Sequence, residues 1–251
     1  MSLIEGLHGG HARTSGSAWT ACARPSNCDI VDLLAVPEPA WADLAERAAE
    51  PNVFFDPAWA RAVARHAEGK GNARALLVWD TPERQRLLAM LPVTSAWDAL
   101  HVPLPVLVAW QAYAPLTTPL IDRNRIDEGA RGLVAAAARH GAVALMMPSL
   151  TTEGAISRAL QRAAAEFNIK PRLLNPHHRA RLDATIDPAT TLRPLGAKKL
   201  KELRRQRNRL ADAGKVVFAS AIYPGDATLA LESFLALESS GWKGARQTAL
   251  P

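Results

Sequence analysis

An α/β fold is predicted by three observations. Apolar runs of strand length alternate with amphipathic helical patterns along most of the chain. Ala and Leu dominate the apolar residues while aromatics make up only 6%, a mix that favours helices over an all-β architecture. Finally, 48% hydrophobic and 22% charged residues in 251 supply core material for one large domain or two small ones.

Residues 1–26, rich in Gly, Ser, Ala and His without periodicity, read as a disordered leader. Residues 30–36, closed by Pro37 and Pro39, form a first strand. Residues 39–49 and 57–67 both open on proline, which suits a first helical turn, and Trp59, Val63 and His66 follow at helical spacing. Two apolar runs, 73–79 and 87–93, joined by a polar link, predict a hairpin. A strand is expected at 106–110. A helix opened by Asn124 and Asp127 then places Ile126, Ala130, Leu133, Val134 and Ala137 on one continuous face. After Gly141, residues 142–147 read as a buried strand. A second amphipathic helix carries Ile156, Leu160, Ala163 and Phe167. Residues 169–182 look extended, broken by Pro171 and Pro176.

A polar connection over 183–195 marks the expected domain boundary. Beyond it lie a basic helix over 196–213, a strand over 216–223, and a helix capped by Asp226 that bears Leu231, Phe234 and Leu235. One strand between two helices forms no sheet by itself, so either it docks on the first domain or the second domain is only begun here.

The net charge of +6 is local. Seven basic residues and a single acid, Glu202, fall between Lys198 and Arg209, and the remainder is balanced. Lys198, Lys201, Arg204 and Arg205 are the candidates for binding the phosphates of a small ligand such as CoA or a nucleotide sugar; a surface helix with a Leu200, Leu203 and Leu210 stripe, or nucleic acid, are the alternatives. No aromatic interleaves with these cations, which argues against single-stranded nucleic acid. The two cysteines, Cys22 and Cys28, form no disulfide framework or zinc site, and adjacent His177 and His178 cannot easily share one ion on an extended chain. The expectation is no metal, no membrane span, no secretory signal, and a cytoplasmic location. Hydrolase elbows, phosphate loops and zinc-protease motifs are missing.

The stretch KKLKELRRQRNRLADAG at 198–214, then FLALESSGWKGARQTAL at 234–250, resembles the second half of GNAT-superfamily acetyltransferases of the CelD/BcsL type, associated with cellulose biosynthesis. Asn52-Val53-Phe54-Phe55-Asp56-Pro57-Ala58-Trp59, the strand ending Leu91-Pro92, and Ala114-Pro115-Leu116-Thr117-Thr118-Pro119-Leu120-Ile121-Asp122 fit the same pattern, which covers about residues 28–250. The resemblance implies a tandem GNAT-like architecture: a complete first domain at 27–186 and, at 187–251, only the opening of a second, acyltransferase domain. It implies acetyl-CoA or another acyl-CoA as co-substrate, no metal, and a small-molecule or saccharide acceptor such as an exopolysaccharide precursor. Trp242, Lys243, Gly244 and Thr248 are the implied acyl- or acceptor-pocket residues; the catalytic base is not identified.

Two departures follow. Gln247 stands where the family usually has glycine, a residue that permits positive φ or close backbone approach. The turn that would hold the acyl-CoA pyrophosphate in the second domain would lie past Pro251, so weak or absent catalysis is expected, with self-association through unfinished second-domain surface. Residues 13–18 match the loose pyrophosphate pattern Arg/Gln-x-x-Gly-x-Gly/Ala, but no strand precedes them and the match reads as chance.

Overall fold

A computed structural model describes residues 27–67, 69, 72–180 and 185–250, and contacts between residues divide the chain after Asn175. The expected leader, with its 13–18 pattern and Cys22, lies outside the described residues.

The first unit is built on a mixed sheet of order β1-β2-β3-β4-β6. Its strands are β1 (Cys28–Asp32), β2 (Arg74–Trp79), β3 (Leu87–Ser95), β4 (Val106–Ala109) and β6 (Ala144–Met146), with β5 (Leu120–Ile121) beside the first half of β3. All neighbours are antiparallel except β4 and β6, which run parallel. The hairpin β2–β3 forms where two β-rich apolar runs flank a polar link. Asp80 closes that link, its carboxylate accepting from the amides of Thr81 and Arg86 at 2.8 and 2.9 Å. A bulge falls between Val78 and Trp79.

Between β1 and β2 come α1 (Glu38–Arg47) and α2 (Pro57–His66). Both begin with proline in the first turn, and Asp56 caps α2 by accepting from the Ala58 amide at 2.8 Å, an orphan donor satisfied by a short polar side chain. The fully buried Trp41 of α1 donates its indole N–H to the Phe55 carbonyl at 2.7 Å, tying α1 to the turn that leads into α2. The stripe Trp59, Val63 and His66 is not the buried face of α2. Pro57, Ala60 and Ala64 are, because small side chains let that helix sit close while the larger ones line its outer flank.

Helix α4 (Ile126–Arg139) carries the sheet's cover, and it follows the short α3 (Ala96–Leu100) in chain order. Ala130, Leu133, Val134 and Ala137 are buried as the periodicity predicts, but so are Gly129, Gly132, Ala135 and Ala136. The additional burial comes from close approach: a methyl at Gly132 would lie 2.5 Å from Val78 Cγ1. Gly→Ala inside a helix ordinarily stabilises by about 1 kcal/mol. Here overpacking reverses the sign, and Gly132→Ala is expected to destabilise by about 1–3 kcal/mol, measured by urea denaturation. A gain in stability would refute the tight α4–sheet contact.

The expected buried strand at 142–147 is instead the short edge strand β6, with Ala144 exposed and Leu145 and Met146 half-buried. Among the described residues it has a partner on one side only, so its apolar run is not enclosed. Helix α5 (Ala155–Glu166) buries Ile156, Leu160 and Ala163, with Phe167 packed partly buried at its C-cap. It lies against α4, and the two are joined by ion pairs Arg131–Glu166 and Arg162–Asp127, both at 2.6 Å.

The second unit begins at Pro176. Its described elements are α6 (Pro188–Leu192), a 3-10 turn (Arg193–Leu195), α7 (Gly196–Asp212), α8 (Pro224–Ser240) and α9 (Trp242–Ala245). The expected polar connection thus contains a helix, capped by Asp187, whose carboxylate accepts from the Thr190 amide at 3.0 Å. The expected strand at 216–223 does not form. Those residues run without regular structure, with Phe218 85% and Ile222 80% exposed, because a strand needs a neighbour for its backbone groups and this unit supplies none among the described residues. Asp226 is not the cap of α8. Tyr223 holds that position and Asp226 lies within the first turn, where its charge still favours the helix dipole.

Candidate functional site

Gly241 closes α8 and opens α9, so the chain reverses over the Trp242-Lys243-Gly244 segment. At the end of α9 the Gln247 amide donates to the Gly244 carbonyl at 3.0 Å, and the Thr248 amide donates to the Lys243 carbonyl at 2.9 Å. This paired arrangement is a Schellman motif, whose C′ residue takes left-handed backbone. Gln247 occupies C′, with φ +55°, at the position the resembling family fills with glycine. Gln247→Gly is therefore expected to stabilise this turn by about 1 kcal/mol, read as slower amide exchange at Gln247 and Thr248. Unchanged exchange would count against the left-handed assignment.

Lys243, Gly244 and Thr248 are brought together by this turn. The Lys243 ammonium is ion-paired to Glu238 of α8, and the other carboxylate oxygen of Glu238 accepts from the Leu250 amide at 3.0 Å. The hydrogen bond from Lys243, and then that from Leu250, hold the Glu238 carboxyl below the usual carboxylate range. The ion pair thus engages the Lys243 side chain within the turn. The Thr248 hydroxyl is likewise committed, donating to the Lys243 carbonyl at 3.4 Å. Trp242 stands apart, 64% exposed, with the Arg246 guanidinium 5.4 Å from its ring centroid, a cation–π contact at the surface.

Three of the four phosphate candidates share one side of α7, since Lys198, Lys201 and Arg205 follow at i, i+3 and i+7, while Arg204 lies between them and the leucine stripe. Arg205 is engaged by Glu202 through two hydrogen bonds of 2.9 Å. Lys198, Lys201 and Arg204 make no ion pair among the described residues. The structure does not gather these cations with the Trp-Lys-Gly turn: α7 chiefly contacts the Arg193–Leu195 turn, whereas α9 contacts α8.

A second location was not anticipated. In open α/β sheets ligand crevices lie beyond the carboxyl ends of parallel strands, here β4 and β6. A hollow of about 210 Å³ lies beside that end of β4, lined by Asn72, Thr94, Asp98, Trp110, Gln111 and Pro148 among others. The Gln111 amide donates to the Ser149 hydroxyl at 2.8 Å, and Ser149 is held at φ +141°, a strained conformation for a non-glycine residue. Asp98 is held below the ordinary carboxylate range, first by the Ser95 hydroxyl at 2.6 Å. Ser95-Ala96-Trp97-Asp98 is a capping-box pattern, a signal present in the sequence; nothing in the sequence marks Ser149.

The strand-to-helix turn leading into α4 is occupied by its own ion pairs. Asp127 and Glu128 occupy its first turn and buried Asp122 precedes it, each paired with an arginine, so acidic side chains already stand where a helix N-terminus would attract an anion. Burial pushes the Cys28 thiol up to about 11, which leaves it without a nucleophilic thiolate near neutral pH. Among the described residues no three His, Cys, Asp or Glu side chains group as metal ligands, and no helix is long and apolar enough to cross a membrane. No family model matches the chain, and neither does any curated protein or solved structure.

Proposed function

We propose that the chain is of acyl-CoA-dependent, GNAT-type acyltransferase lineage, with a sugar or exopolysaccharide precursor as acceptor, and that alone it turns over weakly or not at all. In this reading the first unit is the N-terminal member of a tandem pair and the second unit contributes acceptor- or acyl-pocket residues. The observation that carries it is the turn at 241–248. There Gly244 admits no side chain, and Gln247 takes the left-handed backbone expected of the family's glycine at that position. The reaction would join an acceptor nitrogen or oxygen to the thioester carbonyl, release CoA thiolate, and pass the acceptor proton to a base. Weak turnover fits the ion pair that engages Lys243 and the ion-paired turn before α4.

The test is calorimetric titration with acetyl-CoA. Saturable heat that is lost in Lys198→Gln/Lys201→Gln/Arg204→Gln supports the reading. Absence of heat up to about 1 mM acetyl-CoA, the upper end of ordinary substrate affinities, sinks it.

A second reading, a non-catalytic interaction protein, is favoured by one observation. Among the described residues, none of the second unit's four helices buries a residue. Concentration-dependent association without acetyl-CoA binding would support that alternative.

A further inference from the structure

Helix α7 presents two kinds of surface at once. Leu200, Leu203 and Leu210 share one stripe with Arg207, while Lys199 and Arg204 flank it on either side; Lys198, Lys201, Arg205 and Arg209 occupy the opposite side. Most of the stripe is open: Leu203 is 41% and Leu210 61% exposed, while Leu200 is half-buried. Its flanking cations make no ion pair among the described residues. The rest of the unit continues the pattern, with Phe218, Tyr223, Phe234 and Trp242 all at least half exposed. An apolar stripe flanked by cations matches a surface that is apolar within and anionic at its face.

We propose that α7 is an in-plane amphipathic helix that docks the second unit on an anionic lipid bilayer. The leucine stripe enters the boundary between headgroups and acyl chains, and Lys199, Arg204 and Arg207 reach along their aliphatic stems to lipid phosphates. Charge complementarity selects this occupant. A second copy would bring two α7 helices of like charge together, and nucleic acid would neutralise the cations but leave the leucines in water. The inference does not need the acyltransferase reading, although Arg204 serves in both, and Lys199 and Arg207 belong to it alone.

The experiment is co-sedimentation of the full chain with phosphatidylcholine vesicles, with and without phosphatidylglycerol, at fixed salt. Binding is expected only with phosphatidylglycerol present. Lys199→Gln/Arg204→Gln/Arg207→Gln should weaken it about a hundredfold, and Leu203→Ser/Leu210→Ser by about tenfold or more. The conservative Leu203→Met/Leu210→Met should retain it, which separates loss of docking from loss of folding. Equal binding by Leu203→Ser/Leu210→Ser and the unaltered chain overturns the proposal. So does tighter binding to duplex DNA than to the mixed vesicles in the same buffer.

Discussion

Asp122→Ala should destabilise the first unit by about 3 kcal/mol, the low end of the cost of removing one partner from a buried ion pair. Asp122 is fully buried between β5 and α4. Its carboxylate pairs with Arg47 of α1, lies 3.3 Å from Arg86 Nη2, and accepts from the Asn124 amide at 3.0 Å. Arg47 is only 16% exposed in its side chain and also donates to the Leu87 carbonyl at 2.9 Å. One carboxylate therefore joins α1, the start of β3 and the entry to α4. Removing it leaves the Arg47 guanidinium to Asp43, at 2.7 Å on the exposed side of α1, and leaves the inward Nη1 without its carboxylate. Thermal unfolding should show a midpoint lower by about 10 °C, whereas Arg86→Ala, at a half-exposed site, should change stability by less than about 1 kcal/mol. If Asp122→Ala stays within about 1 kcal/mol of the unaltered chain, the buried pair is not a structural tie.

Gly244→Ala is the second large effect, and it falls on the turn at the centre of the functional proposal. A methyl at this position would overlap the Ser239 carbonyl oxygen and lie 2.6 Å from its carbon. Both are backbone atoms, so no rotamer relieves the clash and the last turn of α8 must separate from α9. About 3 kcal/mol or more is expected, the scale reserved for overpacking against rigid structure. The loss should be local. Amide protons of Gln247 and Thr248, which bond to the Gly244 and Lys243 carbonyls, should lose their exchange protection, while those of β2 and β3 keep theirs. Retained protection at Gln247 and Thr248 would show that the turn does not need glycine.

Much of the first unit was legible because its signals are long or chemically specific. The hairpin β2–β3, the proline-opened α1 and α2, and the periodic α4 and α5 all stand where composition and spacing place them, within a few residues. The failures share a cause, which is dependence on neighbours distant in sequence. Strand β5 has two residues and exists only because β3 is long enough to receive it. The run at 142–147 is apolar in the manner of a buried strand, but its position at the sheet edge is decided by topology. Residues 216–223 have strand-forming side chains and no partner among the described residues. At the candidate site, Trp242, Lys243, Gly244 and Thr248 were marked by the resemblance to a family. Their geometry was not: the approach of Gly244 to Ser239 and the pairing of Lys243 with Glu238 depend on how two helices meet. Ser149 had no signal, since backbone strain has no fixed residue signature.

The edge position of β6 also bears on how the first unit behaves when concentrated. An exposed strand edge is a template on which foreign strands extend a sheet, the first step of many aggregation routes. Strand β6 has three residues, a length that offers few outward backbone groups, and Pro148 follows shortly after with no N–H to donate. A visiting strand would gain too few hydrogen bonds there to offset its lost freedom. The brevity that hid this strand's edge position from its apolar pattern is thus also a form of colloidal protection.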